Sequence, residues 1–189
     1  LTKNPLLKQK ALKHPTVMQS FAWDPTNNDL FTVQGKSGEK NLGNLVVTSR
    51  PGHSSSSYMV LNGFGHGATM GIERATSKSR LYLWVESKAN KKKSDDAFGT
   101  RIARVAWRSK GRVSPTSSGV QDLTPPAAAG KSPRPVVDQK NNLLIVRTTT
   151  GKNKYRFRAW KLADAVAKRW SAVQYDRTIS VRDATSQGY

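Results

Sequence analysis

The feature that constrains the fold of this chain most is a local layout that occurs three times. In each copy a short strand ends in an acid, a polar turn follows and a second strand leads away, at residues 22–31, 72–82 and 137–145. The acids are Asp24, Glu73 and Asp138. A further strand follows each copy, at 45–48, 102–107 and 155–160. Strands joined by short polar turns form antiparallel sheets, and sheets repeated every 40 to 50 residues or so are typical of propeller blades.

These repeats predict an all-β chain, a β-propeller of antiparallel blades with about three blades present. We expect blades at residues 17–60, 61–113 and 133–189, a basic N-terminal arm at 1–16, and a connector rich in Ser, Pro, Ala and Gly at 114–132. Helical periodicity is confined to the arm and to 162–170. Because a propeller closes with about four to eight blades, we expect an incomplete part of a ring, which a second fragment or a protein partner completes. The alternative is a sandwich whose hairpins look alike.

The composition excludes several classes of protein and indicates one class of partner. The 189 residues include 32 Lys and Arg against 12 Asp and Glu, a formal net charge of +20, and no Cys. The lack of Cys excludes a disulfide scaffold, a Cys-based zinc site and a cysteine nucleophile. No stretch approaches the roughly 18 apolar residues of a membrane-spanning helix, so no transmembrane segment is predicted. So basic a chain attracts polyanions such as nucleic acid, phosphate-rich cell-wall polymer or an anionic membrane surface.

Several stretches of the sequence together resemble one protein family. They are VMQSFAWD at 17–24, LFTVQ at 30–34, NGFGHGATMGIE at 62–73, LYLWVE at 81–86 and GTRIAR at 99–104. In this order they are similar to the family of teichoic acid biosynthesis protein C, which also includes receptor-binding-like shell proteins of short-tailed staphylococcal phages. The resemblance covers residues 17–108. It implies a five-bladed propeller, extracellular or virion-borne, that recognises cell-surface glycopolymer, and it implies no reaction.

The most distinctive candidate for ligand binding is the glycine-rich segment that contains His66. Residues 63–67 hold three glycines, which allow positive φ angles or a close approach of the backbone to a ligand. His66 would project from such a loop as a hydrogen-bond donor or acceptor. The alternative is a tight entry into the next strand, with the imidazole bonded to a neighbouring carbonyl.

Basic residues interleaved with aromatic residues form the second candidate site. Arg101, Arg104 and Arg108 flank Trp107, and Arg156 and Arg158 alternate with Tyr155, Phe157 and Trp160. Alternation on a strand predicts that the arginines share one face and the rings the other, which would present guanidinium groups to phosphate. A solvated outer strand over buried rings is the alternative. Lys91, Lys92 and Lys93 lie in a predicted loop, where they would steer a polyanion toward the protein.

No catalytic residue, metal ion or cofactor is predicted. The sequence has three histidines, His14, His53 and His66, and no two share the spacing of a metal site on a helix. A Ser-His-acid triad finds no nucleophile-elbow sequence in support. The oxygen-rich segment 24–29 lacks the 12-residue calcium-loop pattern, and Asx turns that close a hairpin explain it better.

Three functions remain open at the level of the sequence. The first is a secreted, extracellular, carbohydrate-recognising propeller that binds anionic glycopolymer such as teichoic acid within a larger assembly; a chain that begins at Leu1 rather than Met favours secretion. The second is a nucleic-acid-binding protein or nuclease, although no nucleic-acid motif is present. The third is a propeller hydrolase of cell-wall polymer that uses Asp24, Glu73 and Asp138.

Overall fold

A computed structural model describes residues 13–36, 43–51, 57–90 and 97–181, which form three antiparallel sheets and one short helix. The first sheet contains β1 (Met18–Asp24), β2 (Asp29–Gly35), β3 (Leu45–Pro51) and β4 (Ser57–Leu61) in sequence order. The second contains β5 (Met70–Glu73), β6 (Tyr82–Ala89), β7 (Gly99–Ala106) and β9 (Val120–Asp122). The third contains β10 (Arg134–Asp138), β11 (Leu143–Gly151), β12 (Lys154–Lys161) and β13 (Tyr175–Ser180). The two-residue β8 (Arg112–Val113) adds to β4 in parallel.

The three acids of the sequence repeat occupy equivalent positions in the three sheets. Each ends the first strand of its sheet and forms the last cross-strand pair before the turn, as Asp24 with Asp29, Glu73 with Tyr82 and Asp138 with Leu143. The turn chemistry also repeats in the first and third sheets. A carboxylate oxygen of Asp24 accepts the N–H of Thr26 at 3.1 Å, and one of Asp138 accepts the N–H of Asn141 at 3.1 Å. The first bond spans two residues and forms an Asx turn, and the second spans three residues. In both hairpins, local hydrogen bonding of the acid stabilises the turn.

The sheets stack face to face and enclose two hydrophobic cores. Strand alternation sends neighbouring side chains of β6 to opposite sides: Leu83 and Val85 face the first sheet, whereas Trp84 faces the third. The first core joins the first and second sheets through buried residues that include Phe31, Val33, Val47, Leu61 and Ile72. The second core joins the second and third sheets through Trp84, Ile102, Leu144, Val146 and Trp160. The middle sheet is therefore covered on both faces.

The first strands of the three sheets converge on a common centre. Strand β5 packs against both β1 and β10. The chain passes from β4 to β5 and from β9 to β10, and between β7 and β9 it returns to the first sheet as β8. Gly71 permits the close approach of β5 and β10, because a Cβ atom there would lie 2.6 Å from a methyl carbon of Val137. Gln139 donates a hydrogen bond of 2.8 Å to the carbonyl of Trp23 across this centre. This is the arrangement of propeller blades, so the all-β propeller fold predicted from the sequence is confirmed.

Two segments differ in detail from the expectation. The segment 114–132, interpreted as a connector from its composition, contains β9 and a 3₁₀ turn at Pro126–Ala128. The periodic segment 162–170 contains only a short helix, α1 (Leu162–Val166), because the chain leaves helical geometry at Lys168 with φ of +56°. In the part of the chain that the structure describes, no helix is long and apolar enough to cross a membrane.

The segment just before β1 packs on the first sheet. The Gln34 side-chain amide donates to the carbonyls of His14 and Thr16 at 2.9 and 2.6 Å. The Lys13 ammonium lies 4.4 Å from the centre of the Tyr58 ring. Residues 13–16 of the predicted N-terminal arm therefore lie against the sheet, and the rest of that arm is outside the described residues.

Candidate ligand-binding surface

Arg104, predicted to contact a ligand, makes a dense set of contacts inside the protein. Its guanidinium group donates to both carboxylate oxygens of Glu73, with N–O distances of 2.8 and 2.6 Å, and to the Gln121 side-chain carbonyl at 3.0 Å. It also lies 3.3 Å from the centre of the Tyr82 ring. Burial acts to lower the pKa of Arg104, but the hydrogen bonds and the charge of Glu73, together with Tyr82, outweigh burial and raise that pKa above its usual value. Only 11% of its side chain is exposed.

Glu73 is the centre of this cluster. Besides the Arg104 guanidinium, it accepts the indole N–H of Trp84 at 2.6 Å. The two partners reach Glu73 from neighbouring strands, since Trp84 on β6 lies opposite Arg104 on β7. A carboxylate bound by a bidentate guanidinium and an indole has a structural role, and the sequence did not indicate this pairing.

The three arginines around Trp107 do not form one row. Arg101 and Arg104 are separated by an odd number of positions on β7, so they point to opposite faces of the second sheet. Arg101 is half-buried opposite Ser87, and Arg108 lies beyond the end of the strand, where it is exposed. Trp107 packs edge-on against Phe31, with ring centres 5.2 Å apart. The structure therefore separates these candidates into an ion-paired arginine, Arg104, a half-buried one, Arg101, and an exposed one, Arg108.

Arg156 and Arg158 share one face of β12 and one partner. Both guanidinium groups donate to Asp176 on β13, Arg156 at 2.6 and 2.5 Å and Arg158 at 3.2 Å. The hydrogen bond from Arg156 lowers the pKa of Asp176 despite its partial burial. Trp160 was expected on the opposite face with the rings, but the period of two places it on the arginine face, where it is buried. One carboxylate faces two cations, so this surface retains a net positive charge.

His66 lies in a loop that a buried carboxylate holds in place. Glu86 is 1% exposed, and its two oxygens accept the backbone N–H groups of Gly67 at 2.5 Å, Ala68 at 3.2 Å and Gly99 at 2.6 Å. Gly67 has φ of +83°, and a Cβ atom there would lie 2.7 Å from a methyl carbon of Val33. Glycine at this position therefore serves both the turn and the close packing.

The imidazole of His66 begins a row of rings and cations that the sequence analysis missed. Its ring centre lies 4.9 Å from that of Phe98. The Arg134 guanidinium lies 4.5 Å from the Phe98 centre, Arg134 pairs across strands with Arg147, and the Arg147 guanidinium lies 4.4 Å from the Tyr155 centre. We call these five residues the aromatic–arginine row. The pairing of Arg134 with Arg147 could have been predicted from the register of the β10–β11 hairpin, because residues at equal distances from its turn face each other.

A cleft separates the second and third sheets at the end where the acid-bearing hairpins lie. Its volume is about 480 Å³, within the usual range of small-molecule sites. Glu73 and Arg104 line it from the second sheet, and Gln139, Asn142 and Val166 line it from the third sheet and α1. Arg74 lies at its edge, 2.7 Å from the buried carboxylate of Asp24. Glu73 and Arg104 pair with each other, and Leu162, Ala163 and Val166 add apolar lining, so the cleft presents little net charge.

The remaining candidates fall outside what the structure describes or form no site. Lys91, Lys92, Lys93 and His53 lie outside the described residues. Within the ranges given above, no three His, Asp or Glu side chains are close enough to hold a metal ion. Asp29, in the oxygen-rich segment, has its pKa raised by burial and by the neighbouring Asp24.

Comparison with known proteins gives the family. The model of the phage five-bladed β-propeller receptor-binding platform domain matches residues 17–187. Among solved structures, the tail fibre of Staphylococcus aureus phage P68 matches with a TM-score of 0.66 and 23% sequence identity, over 87% of this chain and 30% of the fibre chain. This identity supports a shared fold, and the chain spans less than a third of the fibre chain. No curated protein matches the sequence.

The family model and the structure agree on the architecture. The family has five blades, and the three sheets described above are blades of such a propeller. The resemblance to phage receptor-binding propellers drawn from the sequence is thereby confirmed. Because the model covers nearly all of the sequence, this chain belongs to the family of phage five-bladed β-propeller receptor-binding platform domains.

Proposed function

We propose that this chain recognises an anionic cell-surface glycopolymer, such as wall teichoic acid, outside the cell and as part of a larger virion-associated assembly. The family membership supports a binding role. The comparison with a tail fibre supports the larger assembly. The chemical nature of the polymer is inferred from the charges of this chain.

The observation that carries the proposal is the distribution of charge. Many described carboxylates bind cations or N–H groups of the chain itself, while many lysine and arginine side chains are exposed. In the described ranges, Asp24, Glu73, Asp122, Asp164 and Asp176 form ion pairs with cations of the chain. Glu86 accepts hydrogen bonds from backbone N–H groups inside the protein. With a formal net charge of +20, the excess of lysine and arginine is exposed to the solvent and attracts polyanions.

We assign the polymer contacts to the residues that the sequence indicated and to the cleft. Arg156 and Arg158 would bind phosphate, Arg101 and Arg108 would add cationic surface, and Lys91, Lys92 and Lys93 would steer the polymer. His66 would contact a sugar. The cleft beside Glu73 would receive an uncharged sugar or polyol unit, and Arg104 becomes a positioning residue of that cleft.

The assembly is supported by sheet faces that no neighbouring sheet covers. Among the described residues, Phe21 on β1 is 62% exposed and Tyr175 on β13 is 49% exposed. Val136 and Ile179 are exposed on the same face of the third sheet as Tyr175. Propeller blades bury such faces against neighbours, so we propose that further blades, from a second fragment or a protein partner, cover them.

Binding of purified wall teichoic acid by matched variants tests the proposal. Arg158→Ala removes a cation whose partner, Asp176, keeps Arg156, so the fold should persist. We expect the dissociation constant to rise about three- to tenfold, as for the loss of roughly one phosphate contact. Lys140→Ala is the control, because it makes the same change of charge on an exposed hairpin tip. Equal loss in both variants would indicate non-specific attraction, and no loss in either would contradict the assignment.

The same experiment separates the alternative functions. A nucleic-acid-binding protein would prefer DNA to teichoic acid of equal charge. A hydrolase would shorten the polymer during incubation. Its acid–base pair would need a free carboxylate, but Asp24 and Glu73 are held in ion pairs with Arg74 and Arg104.

A further inference from the structure

The outermost strand of the third sheet has an open edge. Strand β13 ends the strand order of this sheet, and among the described residues no strand pairs with its outer side. All of its residues are exposed, it pairs with β12 without a bulge, and it contains neither proline nor glycine. Natural proteins shorten, bend or cover such edges, because an open row of N–H and C=O groups pairs readily with another strand. The edge of β13 is therefore suited to strand addition.

The first sheet shows how a strand is added to a blade of this protein. Its outermost strand, β4, takes β8 in parallel. The N–H groups of Val60 and Asn62 donate to carbonyls of the added segment at 2.9 and 2.8 Å, and the carbonyl of Tyr58 accepts a bond of 2.6 Å from it. Because β8 lies between β7 and β9 in the chain, it belongs to the segment that joins the last two strands of the second sheet. The second blade thus lends a short strand to the first.

The strand registers relate this occupied edge to the edge of β13. When the ladders are followed outward from the equivalent acids of the two sheets, Val60 corresponds to Thr178 and Leu61 corresponds to Ile179. Each lies on the outermost strand of its sheet. The positions that hold β8 on the first sheet therefore have counterparts on the third.

The main-chain groups at these counterparts point outward. The N–H of Val181 donates to the carbonyl of Asn153 on the β12 side, at 2.8 Å. In an antiparallel pair, successive residues direct their main-chain groups to opposite sides of the strand. The N–H groups of Thr178 and Ser180 and the carbonyl of Asp176 consequently face away from β12, where an added strand would lie.

The charges at this edge favour an acidic partner. Asp176 is the acid of β13, and it is shared by Arg156 and Arg158. Arg177 is exposed on the other face and forms no ion pair within the described ranges. The edge therefore carries an excess of positive charge, and a second copy of this chain, with its formal net charge of +20, would be repelled from it.

The register of β8 indicates where the partner's side chains would lie. Leu61 on β4 lies beside Val113 on β8, an apolar pair. The counterpart of Leu61 is Ile179, which is 43% exposed. In the same register, the residue two places earlier in the added strand would lie beside Arg177. An apolar residue preceded at that spacing by an acid would therefore match both side chains.

We propose that the open edge of β13 takes a short parallel strand from a neighbouring blade of the larger assembly, with an acidic side chain beside Arg177 and an apolar side chain beside Ile179. The N–H groups of Thr178 and Ser180 and the carbonyl of Asp176 would form its main-chain hydrogen bonds. The inference deepens the proposed assembly and rests on it for the source of the strand.

NMR titration with a short peptide tests the edge. The capped peptide Ser-Thr-Glu-Thr-Val-Ser follows residues 109–114, with glutamate in place of Gly111 and the valine of Val113 retained. Its main-chain hydrogen bonds and one exposed ion pair should give a dissociation constant of about 1 mM. We expect the amide resonances of residues 176–180 to shift saturably. The same peptide with lysine in place of glutamate should bind about three- to tenfold more weakly, because its charge would repel Arg177.

A matched pair of variants tests the main-chain bonds. Thr178→Pro removes one outward N–H group and no bond to β12, and edge strands accept proline in this orientation. It should abolish the peptide response. Thr178→Val keeps the N–H group and the shape of the side chain, so it should retain the response. Equal responses of the two variants, or loss of the response in Thr178→Val, would overturn the proposal.

Reversal of one charge tests the side-chain contact and does not depend on the folding of the proline variant. Arg177→Glu should exchange the preference, so that the lysine peptide binds about three- to tenfold more tightly than the glutamate peptide. An unchanged preference would overturn the proposal. So would the absence of saturable shifts in the wild type, or shifts confined to residues other than 176–180.

Binding of wall teichoic acid by the same proteins separates this inference from the proposed function. Thr178→Pro should bind the polymer as the wild type does. Polymer binding by a wild type that shows no peptide response would overturn the strand-accepting edge alone. A peptide response in a wild type that binds no polymer would overturn the polymer function and support the edge.

Discussion

Replacement of Arg104 by alanine should destabilise the protein strongly, although the residue was expected from the sequence to contact ligand. The change leaves Glu73 without its bidentate partner in a place where the carboxylate side chain is 20% exposed. Removal of one partner of a buried ion pair costs about 3–5 kcal/mol. The value here should lie near the lower end, because Glu73 keeps the indole N–H of Trp84. We expect a loss of about 3 kcal/mol, which includes about 1 kcal/mol for the contact with the Tyr82 ring.

For a chain of this length, 1 kcal/mol shifts the unfolding midpoint by about 2–4 °C. Arg104→Ala should therefore lower the midpoint by roughly 6–12 °C, as measured by calorimetry and by urea denaturation. Arg101→Ala is the control, because Arg101 lies on the other face of the same strand and makes no ion pair within the described structure. A loss below about 1 kcal/mol for Arg104→Ala, or equal losses for the two variants, would refute the reasoning.

Three further variants test other parts of the structure. Glu86→Gln should lower the free energy of unfolding by about 2–3 kcal/mol, because its amide would face a backbone N–H that now donates to a carboxylate; urea denaturation measures this, and a change within 0.5 kcal/mol or so would argue against it. Gly67→Ala should cost about 1–3 kcal/mol through its positive φ and its contact with Val33, whereas a wild-type midpoint would speak against a required glycine. Asp176→Asn should make the free energy of unfolding less dependent on pH in the acid range. Because the pKa of Asp176 is lowered from 3.8 in the folded protein, the carboxylate stabilises the fold at pH above 3.8, and that contribution is lost as pH falls through the lowered pKa. An unchanged pH dependence in the acid range would contradict this expectation.

The sequence was most informative where structure is local. In the first and third repeats the acid acts within a few residues, as the hydrogen bonds from the N–H groups of Thr26 to Asp24 and of Asn141 to Asp138 show. The all-β propeller fold class could therefore be predicted.

The sequence was least informative where contacts join distant strands. Glu73 and Arg104 are 31 positions apart and meet only because β5, β6 and β7 pair in one register. The short strands β8 and β9 carry too few residues for a pattern, and they form because β4 and β7 offer open edges. Arginines that look alike in the sequence consequently have different partners: Arg104 holds Glu73 with two hydrogen bonds, while Arg158 shares Asp176 with Arg156.

The salt dependence of polymer binding tests the central claim most directly. Purified wall teichoic acid and DNA of equal charge would be titrated with the protein from low to high salt. Simple charge attraction loses affinity steeply with salt for any polyanion, whereas contacts to sugar and to phosphate geometry persist. We predict tighter binding of teichoic acid, which survives high salt and is competed by the free repeat unit. Equal binding of both polymers that disappears at high salt would contradict it.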